Sequence, residues 1–327
     1  MKTKFTLENP MPPLWMMYPH IGLGSLGWRM GNGEVYAEKH YIWYRSLSES
    51  EQKKYQEMFP PPKPWRGYYK SNYGFEDLLS AYIEFNILGL VEYSSEKLIE
   101  KYDSGESIDY LFFWKPNTDA IDKSSLLKRI VNFFGCTIND TNLYKQDMCV
   151  VDKSCLGQWQ PSIFYSETDT YCCAEQYMMA EKARLFDYEI RKLIMKSTNP
   201  KEIKVLGKKI RNFKQDVWDS EKYSIVVHAN YYKFTQNDEM RNFLFSTGDK
   251  VLVEASPFDT VWGIGLSEND EKAQNPNLWQ GQNLLGMALM DVRDDLRKAY
   301  QNYDIIDWSF KDNCHNWLEN DWLEHIH

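Results

Sequence analysis

From residue 170 to residue 300 the chain reads as one helix-spaced apolar segment after another, interrupted by a single strand-like run, "KVLVEA" (250–255). Such a succession buries its stripes helix against helix and leaves little material for a sheet, so this half is expected to be mainly α with a few short strands. "TYCCAEQYMMAEKA" (170–183) opens a helix expected to take Thr170 as its N-cap and to run to about Lys196. "TNPKEIKVLGKKIRNF" follows, with Asn199 as cap, Pro200 at the first helical position and Ile203, Leu206 and Ile210 facing inward. Helices are expected in "SEKYSIVVHANYYKF" and "NDEMRNFLFST". A long amphipathic helix closes "NPNLWQGQNLLGMALMDVRDDLRKAY", and "SPFDTVWGIGL" between them is loop.

The first 150 residues have another character, a mixed α/β one. Pro, Gly and aromatic residues crowd the first 70, and "FPPPKPWRGYY" (59–69) reads as a rigid extended connector. "SESEQKKYQEMF" before it reads as a short exposed helix capped by Ser48 or Ser50. Residues 75–102 have helical apolar spacing, "IDYLFFW" (108–114) is strand-like, and "KSSLLKRIVNFFG" (123–135) is a helix stopped by Gly135. A boundary is placed near 150. The tail beyond 300 carries three Trp and is expected to be helical. With 22 Tyr, 16 Phe and 12 Trp the chain can build its core and still have rings left for stacking.

Charge and cysteine usage exclude several classes. A net charge of −9 argues against tight, nonspecific binding to a nucleic-acid backbone, though a local basic mouth around one nucleotide is compatible with it. No window approaches 18 apolar residues, so no membrane span is expected. The N-terminus lacks the apolar stretch of a secretory signal, and the six cysteines (136, 149, 155, 172, 173, 314) form no CxxC pair. The expectation is a reduced, cytoplasmic protein with no metal site and no cofactor.

"GLGSLG" (22–27) matches a dinucleotide fingerprint, but Pro19 precedes it and more glycines follow it, so it reads as a tight loop. Cys172 and Cys173 point roughly 100° apart on a helix and read as small packing residues. His228, within "YSIVVHANYY", reads as a structural histidine. Glu175 and Lys182 differ from these. Seven residues apart, they share a face with Met178, Met179, Leu185 and Phe186, about 10 Å from each other along the axis. They form either a structural ion network or one wall of a pocket. In a pocket, burial raises the acid's pKa and lowers the amine's, the shifts a general acid and a nucleophilic lysine need. Asp259, Trp262 and Gly263 lie in a loop after a strand, where site residues concentrate. Asn283 can cap the helix after "WQGQ", whose free N–H groups suit either a phosphate or a plain turn.

Taken together, "YCCAEQYMMAEKA", "VLGKKIRNF", "FDTVWGIGL" and "GQNLLGMALMDVRDDL" resemble, in order, the NADAR or YbiA-like family over about residues 155–300. The resemblance implies a multihelical domain at 151–300, with 1–150 an accessory region and 301–327 a Trp-rich tail. It implies hydrolysis of an N-glycosidic bond, in ADP-ribosylated guanine of nucleic acid or in ribosylated pyrimidine intermediates of riboflavin synthesis. An ADP-ribosyltransferase toxin is the implied opposing partner, and a non-catalytic ADP-ribose reader is the alternative from another class. The implied catalytic residues are Glu175, Lys182 and Asp259. Trp262 is the implied substrate contact, and Gly263, Trp159, Tyr171 and Asn283 are further expected ones. Where many members have His after the glutamate, this chain has Gln176.

Overall fold

The computed structural model describes residues 5–70, 92–115, 151–166 and 169–313. The expected helix at 123–135, the run 75–91, the boundary near 150, Cys136, Cys149, Cys314 and the last turns of the tail lie outside these residues. Among the described residues the chain is mainly α, with four short strands. The helices are α1 (Leu14–Met17), α2 (Gly31–Ser46), α3 (Glu49–Met58), α4 (Ser95–Asp103), α5 (Ala174–Phe186), α6 (Tyr188–Lys196), α7 (Pro200–Gly207), α8 (Gln215–Thr235), α9 (Asp238–Ser246) and α10 (Leu284–Ala299). No helix among them is long and apolar enough to cross a membrane.

Strand β1 (Tyr110–Phe113) pairs in parallel with β4 (Val251–Glu254), in register Tyr110 with Val251 and Phe113 with Glu254. Strands β2 (Phe164–Ser166) and β3 (Asp169–Tyr171) make a small antiparallel pair. Helix α8 lies at the centre, with α5 on one side and α10 on another, and α5 in turn carries α6 and α7. One buried cluster draws residues from before position 115 and from after position 151. Trp15, Tyr36, Trp43 and Tyr55 belong to the same buried cluster as Tyr231, Phe234, Leu289 and Leu296. Polar ties join the same two parts: the Lys63 amide donates to both oxygens of Asp295, and the Tyr93 hydroxyl donates to Asp294.

Two sequence expectations need correction. The helix expected from Thr170 to Lys196 is two helices, and neither begins at Thr170. Thr170 is in β3, paired with Tyr165, because the chain runs extended up to Cys173 before it turns. The break at Asp187 has an identifiable cause. Its carboxylate accepts the amide of Ile190 as N-cap of α6 and also binds the Arg211 guanidinium at 2.7 and 3.0 Å. Those bonds hold Asp187 at φ −153°, ψ 88°, outside the helical region. The second correction concerns 59–69. Helix α3 is capped by Ser48 in a capping box with Glu51, as its pattern indicates. After it the prolines run extended only to Pro62, and Lys63–Trp65 then close a 3-10 turn.

That turn drives Trp65 into the core, where it is 2% exposed. Its ring lies 5.7 Å from Trp15, 5.7 Å from Trp28 and 5.6 Å from Tyr68. The supposed connector is therefore a packing element. Trp65→Ala is expected to cost about 3–5 kcal/mol of unfolding free energy in a urea titration. A loss below about 1 kcal/mol would show that this aromatic cluster is not part of the cooperative core.

Candidate active site

Helix α5 owes its start to side chains outside the usual capping set. Cys173 is its extended N-cap and makes no side-chain cap bond. Gln176 takes over that task. Its Oε1 accepts the Cys172 amide at 2.7 Å, and its Nε2 donates to the carbonyls of Ile194 and Ser197. The side chain that follows Glu175 is thus spent on joining the start of α5 to the end of α6. Cys172 and Cys173 are free thiols with sulfurs 3.8 Å apart, packed at this junction.

One residue earlier, the Glu175 amide donates to the Gln158 carbonyl at 2.9 Å. This bond lays the segment carrying Trp159 across the first turn of α5. The Glu175 side chain is 4% exposed, and its Oε1 has no hydrogen-bond partner among the described residues. Burial pushes its pKa up to about 7. The charges of Lys204 and Lys182 and a hydrogen bond from Trp159 pull the other way, and Asp259 reinforces the rise. A helix N-terminus favours an anion, but here desolvation wins. The result is a carboxyl that still holds its proton near neutrality.

Lys182 stands two turns further along the same face, with its Nζ 4.5 Å from the Phe213 ring centroid and 5.1 Å from that of Trp218. Burial lowers its pKa and Glu175 raises it. The aromatic faces hold this amine in place of a direct salt bridge. Lys204, from α7, sits 4.0 Å from Asp259 Oδ2 and 5.6 Å from the Trp159 ring centroid.

The second wall follows β4. Asp259 Oδ1 accepts the amides of Val261 at 3.0 Å and Trp262 at 2.8 Å, which folds the loop back on itself. Gly263 passes so close to the strand that a Cβ there would meet the Glu254 carbonyl oxygen at 2.8 Å. It contributes closeness of backbone and no side-chain contact. Trp262 is half-buried against the core, and its carbonyl accepts the amide of Leu285 in the first turn of α10.

Two of the expected substrate contacts are packed inside the domain. Asn283 caps nothing with its side chain; it is fully buried at φ 51°, in the left-handed region. Its amide group accepts the Glu254 N–H and donates to the Leu252 carbonyl, both at 2.9 Å, and so fastens α10 to β4. Tyr171 is 2% exposed, stacked on Phe164 and edge-on to Tyr177. The structure therefore brings together Glu175, Lys182, Asp259 and Trp159, keeps Trp262 and Gly263 in the adjoining loop, and puts Asn283 and Tyr171 in the supporting core. "GLGSLG" follows a helical turn rather than a strand, and His228 binds the Ser224 carbonyl within α8.

Glu254 and Lys204 were not anticipated. Glu254 closes β4 with a buried Oε2 that lacks a partner among the described residues. Burial first, then Asp259 and Glu175, push its pKa up to about 8. The available signal was a charge ending an otherwise aliphatic strand. Lys204 had no signal, since it follows a buried isoleucine on an ordinary amphipathic helix. Three carboxyls and two amines thus face one another, and two of the carboxyls favour the protonated form. Such a group can give up a proton, hold sugar hydroxyls and neutralise charge.

Fold and site together define a mainly α domain with a proton-bearing buried acid set among lysines and indoles. The NADAR domain family matches residues 144–297. An N-glycosidase of Acanthamoeba polyphaga mimivirus is 44% identical over 145 residues, 42% of this chain and 85% of the relative. An N-glycosidase of Nostoc punctiforme is 32% identical over 145 residues, 44% of this chain and 85% of the relative. The solution structure of the E. coli protein YbiA aligns at a TM-score of 0.39 and 24% identity, over 47% of this chain and 83% of that one. The chain belongs to the NADAR family.

Proposed function

We propose that the chain is an N-glycosidase that cleaves the bond between ADP-ribose and a guanine base of nucleic acid, reversing an ADP-ribosyltransferase. The observation that carries this reading is Glu175, a buried carboxyl with a free Oε1 that holds its proton to about pH 7. A departing base nitrogen needs such a proton. The relatives named N-glycosidases support the reaction class.

In this reading Glu175 passes its proton to the base nitrogen as the bond from the sugar's anomeric carbon breaks. The Lys182 amine, whose pKa burial lowers, adds to that carbon from its uncharged form. The adduct opens to an imine, water adds to the same carbon, and the lysine amine leaves as the free sugar forms. The carboxyl, now an anion, takes back a proton from the water. Asp259 and Glu254 hold the sugar hydroxyls and the water, and Trp159 stacks on a ring of the ligand.

The test is incubation with a guanine-ADP-ribosylated DNA oligonucleotide and detection of released ADP-ribose. Release is the expected result. No release, with turnover of a ribosylaminopyrimidine phosphate instead, would move the substrate to the riboflavin-pathway class. Binding of ADP-ribose with no turnover of either compound would make the chain a reader.

A further inference from the structure

The chain carries a pair of thiols that the proposed reaction does not use. Cys172 and Cys173 are neighbours in sequence, both are free, and their sulfurs lie 3.8 Å apart. A disulfide needs about 2.05 Å between sulfurs. The shortfall is taken up by the side-chain torsions and by the peptide between the two residues. Cys173 is 1% exposed, whereas Cys172 is half-buried, so an oxidant reaches Cys172 first. The hydrogen bond between them lowers the pKa of Cys172 and raises that of Cys173, and burial adds to the second effect. The accessible sulfur is thus the nucleophile and the buried one its resolving partner. Cys155 differs from both. It is 1% exposed, and burial pushes its thiol up to about 12, which leaves it inert.

The backbone around the pair is tied to the start of α5. The Cys172 carbonyl accepts the Ser162 amide at 2.9 Å, and the Cys172 amide donates to Gln176 Oε1. The Cys173 carbonyl accepts the amides of Gln176 at 3.1 Å and Tyr177 at 3.4 Å, the opening bonds of the helix. Glu175 stands inside that turn. Adjacent Cα atoms are about 3.8 Å apart across a trans peptide, below the span of about 4.4 Å at which ordinary disulfides begin. A bridge between neighbours therefore twists the intervening peptide, strains the bonds it anchors and is readily reduced.

We infer that Cys172 and Cys173 form a reversible redox modification site: a peroxide closes the pair into a disulfide, and the bridge loosens the first turn of α5 around Glu175. The Cys172 thiolate attacks one peroxide oxygen. The S–O bond forms as the O–O bond breaks, and the departing hydroxide takes up a proton to become water. The Cys173 sulfur then attacks the Cys172 sulfur. The S–S bond forms, the S–O bond breaks, and hydroxide leaves with the Cys173 proton as a second water. The sulfurs lose two electrons in all, and the peroxide gains them. The effect on catalysis rests on the proposed function; the bridge and the loosened turn do not.

The experiment exposes the reduced full chain to stoichiometric hydrogen peroxide, alkylates the remaining thiols and maps the peptides by mass spectrometry. Expected is a peptide holding Cys172 and Cys173 that lacks both alkyl groups and two hydrogens, and that glutathione returns to the dithiol. Deuterium exchange at the amides of Glu175, Gln176 and Tyr177 should speed up by about tenfold or more in the bridged form and recover on reduction. Cys172→Ser, treated alike, should form no bridge and keep the exchange of the reduced protein. If the protein releases ADP-ribose, bridging should slow that release by about tenfold or more, reversibly, because the proton donor is displaced. No reaction with peroxide, a bridge from Cys172 to another cysteine, or irreversible oxidation of Cys172 would overturn the inference. So would a bridge that leaves exchange or turnover unchanged. Bridging with faster exchange in a protein that hydrolyses nothing would sustain it and reject only the proposed reaction.

Discussion

Glu175→Gln lowers kcat/KM by about 10²–10⁴-fold, the usual contribution of a positioned general acid. The pH profile identifies the cause. With the Glu175 pKa raised to about 7, wild-type kcat/KM should fall roughly tenfold per pH unit above that value. The glutamine variant should lose that alkaline limb. Persistence of the limb in Glu175→Gln would assign the proton to Glu254, whose carboxyl is pushed to about 8. Stability supplies a second readout of opposite sign to the activity. Between the unfolded value near 4.5 and the folded value near 7 the native protein holds a proton that the unfolded chain has released, so stability falls as pH rises through this window. Glu175→Gln removes this penalty. It should therefore be more stable than wild type at pH 8, by at most about 3 kcal/mol, with the difference vanishing near pH 4.

Lys182→Ala is expected to lower kcat on the order of 10³-fold or more, as removal of a nucleophile does. The same substitution should abolish any adduct trapped by borohydride during turnover. Lys182→Arg separates the two tasks of this side chain. Arginine keeps a cation over Phe213 and Trp218 but cannot form an imine. If Lys182→Arg retains activity within about tenfold of wild type, the lysine is holding charge and the covalent path is wrong. If it is as inactive as the alanine variant and gives no adduct, the amine itself reacts.

Much of the helical half was legible because its signals are local. Asn199 caps α7 through the Lys201 amide, with Pro200 behind it, as these three residues themselves dictate. The placement of Glu175 and Lys182 on one face follows from helical period alone. The interruption at Asp187 was not legible, because its cause is Arg211, 24 residues away. The same holds for Asn283, whose partners are on a strand some 30 residues earlier. Trp65 misled for a related reason: proline-rich spacing describes the backbone up to Pro62 but says nothing of the indole cluster waiting for the next turn. Glu254 and Lys204 join the site through tertiary proximity, which no pattern within either segment encodes.

The parallel pairing of β1 with β4 has a consequence for how the chain can be divided. Excising the family-matched residues would strip β4 of its neighbour and leave a bare row of donors and acceptors beneath the loop that holds Asp259. Such an unpaired edge recruits foreign strands and promotes aggregation. In this protein the first region supplies a built-in strand that satisfies the edge, so a fragment without that region is expected to aggregate where the whole chain does not.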